Sequence, residues 1–425
     1  MPWAIGGLVE GFYGPPWSWD DRVALARWCA DRGMTHYLSA PKDDPRHRER
    51  WRDPYPAEDL AGFERVASEG GLELGFAVSP GLSIDYADGD DRAALGAKID
   101  QGLSAGASFA CLALDDIPTR PGLGEDHAAL TTWLRGELSG SEDLLLVPTE
   151  YTGLGATPYL EALATGLPDG VLVAWTGPTV VADELRVDQA RRRADAVGRP
   201  PFIWDNYPVN DAVMADRLFL GPLRGRDPGL VDVCSGYLAN PMVQPASSKL
   251  PLASIAAWLR GEDPEAAWAE EAEGWQVFAD ACDGTRPREL VRSFLDARDD
   301  ASRAALASWL DEAATCEAPR AVADEAADWL SQARREARLG RMALALLDEA
   351  AGGRTGAELA LLVALEWAQV QRSKVTVMGP RRSVRPVISQ DRDGGWVFHR
   401  EAVQADANAV DDLVRVALDE AGGGD

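Results

Sequence analysis

SFACLALDDIP, residues 108–118, is the stretch on which the reading of this chain turns. An apolar run rich in strand formers ends in two adjacent carboxylates, Asp115 and Asp116, followed by Ile117 and Pro118. Such a run reads as a strand buried on both faces, the kind found in parallel sheets with helices outside. Two neighbouring charges have no use inside that strand, because ionised groups without partners are costly to desolvate. At its carboxyl end they fit, since α/β barrels keep their chemistry there. The competing reading is that the two Asp residues cap the following loop.

Outward from this stretch, strand-like segments recur at 4–13, 35–41, 73–80, 108–117, 143–151, 170–178, 200–208 and 231–241. Amphipathic, helix-like segments follow them at 18–33, 56–71, 91–107, 126–140, 157–167, 187–198, 212–219 and 247–261. Several of these open on Ser, Asp or Thr at a capping position and close on Gly. Eight strands alternating with eight helices over about 250 residues is the count of a closed (β/α)8 TIM barrel. A doubly wound open sheet competes, but its GxGxxG signature after the first strand is missing.

Beyond about 262 the pattern becomes helical, with apolar residues at helical spacing in 263–282, 288–298, 301–316, 321–353 and 358–374. The expected organisation is an α/β barrel at 1–262 followed by an α-helical bundle domain at 263–425. Near 375–398 a short stretch reads as extended, and a last helix over 409–421 precedes a glycine tail expected to be disordered. Trp268, Trp275, Trp309, Trp329 and Trp367 fall at helical spacing and read as core rather than as a ligand platform. Arg381, Arg382 and Arg385 read as partners for the chain's own carboxylates.

Composition removes several function classes. Net charge is −27, which repels nucleic acid and anionic membranes, so neither is expected as a partner. Five widely spaced cysteines without a CxxC pair speak against a disulfide framework and a structural zinc site. With four histidines and no HxH or HExxH, a metal-dependent hydrolase is poorly supported, and no cofactor is expected. No run approaches the roughly 18 apolar residues of a membrane span. The opening MPWAIGGLVEGFYG lacks a basic n-region and a long apolar core, so a cytoplasmic protein is expected.

Read to their ends, the strands share a feature. They close on Glu10, Gly11 and Tyr13; on Lys42, Asp43 and Asp44; on Asp115 and Asp116; on Glu150 and Tyr151; on Trp175 and Thr176; on Trp204, Asp205, Asn206, Asn210 and Asp211; and on Asn240. In a barrel these ends converge on one mouth. Carboxylates and amides hold hydroxyl groups, and aromatic faces pack against a pyranose ring. Acid–base chemistry by a carboxyl pair then points to glycosidic bond hydrolysis. Each residue also has a plainer reading: Lys42 as a salt-bridge partner of Asp43 or Asp44, Tyr151 and Trp204 as core aromatics, Asn240 as a turn residue.

The adjacency of Asp115 and Asp116 narrows the reaction. A retaining pair sits about 5–5.5 Å apart across the scissile bond, a geometry consecutive residues of one strand do not readily give. They serve where the nucleophile is the oxygen of a 2-acetamido group on the substrate. One carboxylate then orients the amide N–H while the other protonates the leaving oxygen. The carboxyl that donates has to carry a proton, its neighbour has to stay ionised, and a bell-shaped pH profile would report on the pair.

GLVEGFYGPPWS, SAPKDDPRHRERWRDPYP, LALDDI, VPTEY, WTGP, WDNYPVND and LANP, in this order, resemble glycoside hydrolase family 84, the β-N-acetylglucosaminidases that include O-GlcNAcase. The resemblance covers roughly residues 5 to 260. It implies a retaining β-N-acetylglucosaminidase that releases terminal β-linked GlcNAc through an oxazoline intermediate. Asp115 would position the acetamido group, and Asp116 would be the general acid and then the base. Tyr151 would hydrogen-bond near the acetamido oxygen, and Trp204 would wall the acetyl methyl. Gly11, Lys42, Asn206, Asp211 and Asn240 would hold sugar hydroxyls and the acetamide. Ser39 and Val147 depart from the Tyr and Cys usual in animal members, and Val147 borders the expected acetyl pocket. The implied partner is a GlcNAc-bearing glycoside or glycoprotein, with the helical domain as the candidate face for a homodimer. Rival readings are a hexosaminidase acting on hyaluronan, chitin or cell-wall fragments, a non-catalytic GlcNAc-binding protein, and a Mg²⁺-dependent barrel enzyme using Lys42, Asp43 and Asp44.

Overall fold

The computed structural model describes residues 3–138, 143–353, 356–379, 387–390, 396–399 and 408–422. Eight parallel strands close a barrel in chain order: β1 (Gly6–Glu10), β2 (His36–Ser39), β3 (Glu73–Val78), β4 (Phe109–Ala113), β5 (Asp143–Val147), β6 (Val171–Trp175), β7 (Pro201–Asp205) and β8 (Gly236–Ala239). β8 returns to β1 through Leu8 opposite Ala239. Each strand is four to six residues long, shorter than its apolar stretch in the sequence. The register aligns their carboxyl ends, with Glu10 opposite Ser39, Ala113 opposite Val147, and Asp205 opposite Ala239.

The strands carry two buried faces, as a continuous apolar run requires. One cluster draws residues from all eight strands, among them Val9, Leu38, Ala77, Cys111, Leu145, Ala174, Trp204 and Leu238, and fills the barrel. The other face packs against a ring of helices: α1 (Trp19–Ala30), α2 (Ala57–Glu69), α3 (Gly89–Ser104), α4 (Leu123–Glu137), α5 (Pro158–Gly166), α6 (Val187–Val197) and α7 (Pro245–Leu259). Ser18, Asp88 and Thr157 cap α1, α3 and α5 through side-chain oxygens, each worth about 0.5–2 kcal/mol.

One sequence expectation fails here. The segment 212–219 is not an α-helix; β7 and β8 are joined by two 3-10 turns, Ala212–Met214 and Pro228–Asp232. Gly221, Pro222, Gly225, Pro228 and Gly229 follow so closely that an α-helix has no room to propagate.

A helical region follows: α8 (Pro264–Glu271), α9 (Gln276–Asp283), α10 (Thr285–Ala297), α11 (Asp300–Ala313), α12 (Arg320–Glu325), α13 (Ala327–Ala351), α14 (Ala357–Val370) and α15 (Ala409–Gly422). Trp268, Trp275, Trp309 and Trp329 are buried in its core, and Trp367 packs against it half-buried. That core also takes in Leu218, Leu220, Met242 and Leu250, and Glu325 accepts the backbone N–H groups of Ala246 and Ser247 at the start of α7. Within the stretch expected to be extended, β9 (Val387–Gln390) and β10 (Trp396–His399) form an antiparallel pair. Gly422, the first residue of the glycine tail, ends α15, while Arg381, Arg382, Arg385, Gly423 and Gly424 lie outside the described residues. No helix among the described residues is long and apolar enough to cross a membrane.

The helical core holds a carboxyl that makes stability pH-dependent. Glu336 on α13 is buried among the amides of Gln332 (2.8 Å) and Asn408 (2.7 Å). Burial outweighs those donors and pushes its carboxyl from the ordinary 4.5 up to about 8. Burial, with Asp283 adding to it, likewise pushes Asp280 up to about 7. A carboxyl raised in the folded state makes that state bind more protons than the unfolded chain. These two groups therefore favour folding at low pH and lose that contribution as pH rises from the unfolded value through the folded one. Relative to wild type, Glu336→Gln should gain several degrees in Tm on going from pH 5 to pH 9, measured by scanning calorimetry. A difference in Tm that does not change with pH would remove the assignment.

Candidate active site

The described structure brings every sequence-predicted site residue to the carboxyl end of the barrel or just beyond it. Gly11 follows β1, Lys42 lies three residues past β2, Asp115 and Asp116 follow β4, and Tyr151 lies past β5. Trp204 is within β7, Asn206 follows it, Asp211 begins the first 3-10 turn, and Asn240 follows β8.

Asp115 and Asp116 are consecutive but differently held. Asp115 is buried, and its Oδ2 forms an ion pair with the equally buried Lys42 ammonium. Its Oδ1 is inaccessible to solvent and has no hydrogen-bond partner among the described residues. A buried acceptor left open is expensive, about 1–3 kcal/mol and more for a charged group, and such exceptions concentrate at functional sites. Asp116 lies in the left-handed region at φ 53° and is half-buried. Its Oδ2 accepts from the Tyr13 hydroxyl at 2.7 Å and its Oδ1 from the Tyr151 hydroxyl at 3.0 Å. Burial and the Asp116 charge both push the phenols of Tyr13 and Tyr151 upward, so they remain O–H donors.

A second group is built on the β7, β8 and β1 ends. The Gly11 N–H donates to Asn240 Oδ1 at 3.2 Å, and Asn240 Nδ2 donates to Asn206 Oδ1 at 3.0 Å. Trp204 Nε1 donates to the same Asn206 oxygen at 3.2 Å, while Asn206 Nδ2 donates to the Val180 carbonyl at 2.8 Å. Gly11 is required by packing: a Cβ there would lie 2.3 Å from Cζ2 of Trp204. Asp211 accepts the Tyr13 N–H at 2.7 Å, and its carboxyl is raised, chiefly by burial and further by nearby Asp116.

Other strand-end carboxylates serve the scaffold. Glu10 is fully buried in a bidentate pair with Arg22 of α1, at 2.8 and 2.9 Å. Asp205 is paired bidentately with Arg226, at 2.8 and 2.7 Å, and accepts from the Tyr237 hydroxyl at 2.6 Å. Asp43 accepts the Gly14 N–H at 2.8 Å and Asp44 the Tyr55 hydroxyl at 2.8 Å, so Lys42, Asp43 and Asp44 serve three separate places. Among the described residues no cluster of His, Cys, Asp and Glu is arranged to hold a metal ion.

Sequence reasoning passed over three residues. Arg48 donates from Nη1 to the Tyr13 hydroxyl at 2.7 Å and from Nη2 to the Asp116 carbonyl at 3.3 Å. Tyr13 was noted only as a strand-end aromatic. His47 is buried with Nδ1 3.0 Å from the Ala77 carbonyl, an acceptor that fixes the proton on Nδ1. Burial first, and the Lys42 charge second, lower it to about 3, so the ring stays neutral. The signal available was the basic PRHRER run directly after PKDD, where charge alone gave no partner.

Comparison with known proteins bears on this arrangement. A family model described as beta-N-acetylglucosaminidase matches residues 6–296. Two curated proteins named Protein O-GlcNAcase, from Rattus norvegicus and Mus musculus, are each 34% identical to this chain over 272 residues, covering 60% of it and 30% of themselves. The chain thus spans less than a third of the length of those relatives. Among solved structures, a mutant of the O-GlcNAc hydrolase of Thermobaculum terrenum superposes with a TM-score of 0.81 at 23% identity, covering 98% of this chain and 95% of that one. CpGH84B superposes with a TM-score of 0.82 at 23% identity, covering 98% and 77%. At that identity the likeness to the solved structures shows the fold.

Proposed function

Because the chain belongs to the β-N-acetylglucosaminidase family of glycoside hydrolases, we propose that it is a retaining, O-GlcNAcase-like enzyme that releases terminal β-linked GlcNAc with help from the substrate's own acetamido group. The observation that carries this reading is Asp115: one oxygen is tied to Lys42 and the other is a buried acceptor without a donor. A substrate N–H is the donor that oxygen lacks.

In the first step the acetamido oxygen attacks the anomeric carbon and the glycosidic bond breaks. Asp116 gives its proton to the departing oxygen, while Asp115 accepts the N–H and stabilises the positive charge of the oxazoline that forms. In the second step Asp116 takes a proton from water, whose oxygen attacks the anomeric carbon and reopens the ring, so configuration is retained. Tyr151 donates to the acetamido oxygen, Trp204 walls the acetyl methyl, and Gly11, Lys42, Asn206, Asp211 and Asn240 hold the acetamide and hydroxyl groups. Residues 1–262 carry the chemistry in this reading and 263–425 the supporting helical domain, in a cytoplasmic protein. A homodimer through that domain belongs to the same proposal; sedimentation velocity of the full chain tests it, and a monomer at micromolar concentration would withdraw it.

The decisive experiment compares an aryl β-N-acetylglucosaminide with the matching aryl β-glucoside. Hydrolysis of the first alone is the expected result. Comparable rates on both would mean that the enzyme supplies its own nucleophile, and inactivity of folded protein on both would mean that the site only binds.

Gly11→Ala tests the wall of the proposed acetyl pocket. With Cβ 2.3 Å from the Trp204 ring, the indole has to move by an ångström or more. A displacement of that size is expected to lower kcat/KM on the aryl N-acetylglucosaminide by about 10²-fold. Activity within about twofold of wild type would show that Trp204 does not set the pocket, since so small a change is far below the roughly 10²-fold expected.

A further inference from the structure

Asp116 accepts a phenolic O–H on each carboxylate oxygen, and the two bonds are not equivalent. The Tyr13 oxygen also accepts from Arg48 Nη1 at 2.7 Å. A guanidinium does not give up its proton, so the single Tyr13 hydrogen is committed to Asp116 Oδ2. The same guanidinium reaches the Asp116 main-chain carbonyl from Nη2 at 3.3 Å, and Arg48 is buried. One planar group thus holds both the backbone and, through Tyr13, the carboxylate of a residue in left-handed conformation. The Tyr151 hydroxyl makes no other hydrogen bond among the described residues and is free to turn.

Resting on the function proposed above, we propose that Arg48 is a positioning residue for the general acid. Acting through Tyr13, it fixes Oδ2 of Asp116 as a standing acceptor and reserves Oδ1, which Tyr151 vacates for the substrate, as the oxygen that carries the transferred proton. Two O–H donors favour an ionised carboxylate, so an Asp116 that is to deliver a proton has to lose one of them. Tyr13 does not withdraw, because its oxygen already accepts from Arg48 and has no lone pair suitably placed for an Asp116 hydroxyl. Tyr151 does withdraw once the acetamido oxygen takes its O–H. Binding of the correct sugar thereby prepares the acid: the proton settles on Oδ1 when the substrate is in place. The other charged groups near Asp116 are Asp115, neutralised by its Lys42 partner, and Asp211.

The test uses the full chain with Arg48→Met and a series of aryl β-N-acetylglucosaminides differing in leaving-group acidity, with pH profiles of kcat/KM. On phenols that leave poorly, kcat/KM should fall tenfold or more, part of the roughly 10²–10⁴ that a general acid supplies. On activated phenols it should stay within about threefold, since these need little of that 10²–10⁴ assistance, and KM should be unchanged. The basic limb should move to higher pH, because an ionised Asp116 that has lost an oriented donor holds a proton more tightly. Arg48→Lys keeps the charge without the fork and should recover part of the loss. Should Arg48→Met fail to fold, Tyr13→Phe removes a single oxygen and carries the same two expectations. Equal losses across leaving groups with an unmoved basic limb would overturn the assignment and leave Arg48 as scaffold. Inactivity of the wild type on every N-acetylglucosaminide is a different outcome, which removes the proposed function itself.

Discussion

Asp115→Asn should lower kcat/KM by about 10²–10³-fold on every aryl β-N-acetylglucosaminide, whatever the leaving group, and should lower Tm as well. The two losses have one origin. In the proposed mechanism Asp115 supplies the charge opposite the developing oxazoline, and removing a preorganised electrostatic partner slows the step irrespective of what departs. The same charge neutralises Lys42, and both side chains are under a tenth exposed. Breaking a buried pair by removing one partner costs about 3–5 kcal/mol, because the other charge stays behind unpaired. Lys42→Met in the Asp115→Asn background should therefore recover stability without recovering rate. A single variant with full activity on activated and unactivated substrates alike would remove Asp115 from the mechanism.

Asp116→Asn should behave in the opposite way, with a loss graded by leaving group. Phenols that leave without protonation need no acid, so their first step should be nearly spared. Poorly leaving phenols and alkyl glycosides should lose the 10²–10⁴-fold that general acid catalysis contributes, to about that order. Asn is a clean probe here, because φ at this position is 53° and Asn tolerates the left-handed region better than most residues. Its amide also meets the two phenolic O–H groups with an oxygen still available to one of them. With the activated substrates the second step, for which the proposed mechanism uses Asp116 as base, should become rate-limiting, and added azide should accelerate turnover. A uniform loss across leaving groups would exchange the roles assigned to the two carboxylates or abolish them.

The barrel was legible because its signals are local. Buried parallel strands announce themselves as short apolar runs, and all eight lie inside the segments read from the sequence, each trimmed at its carboxyl end and six of them at the amino end as well. Six of the seven helical segments expected before β8 formed for the same reason, with Ser18 and Thr157 capping where their segments were read to open and Asp88 capping three residues before the segment read from 91. The segment 212–219 failed because its apolar spacing was weighed without the Gly and Pro residues downstream, which end helical propagation. In the site, the sequence could place polar residues at strand ends but could not tell chemistry from scaffold. Glu10 and Asp205 end their strands as Asp115 nearly does, yet Arg22 and Arg226 satisfy both oxygens of each.

By itself, then, the sequence determined the period of its apolar residues, the order of strands and helices, and which polar residues reach the barrel mouth. All of these follow from interactions within a few residues along the chain. The tertiary structure alone decided which of those residues are satisfied and which remain open. Lys42 meets Asp115 across 73 residues, Arg48 meets Asp116 across 68, and Gly11 meets Asn240 across 229. Glu10 and Asp205 each have a guanidinium closed on both oxygens, whereas Asp115 keeps one oxygen without a donor and Asp116 meets only phenolic hydroxyls. Donors brought from that far along the chain leave no mark on the local pattern, since only barrel closure sets their distances.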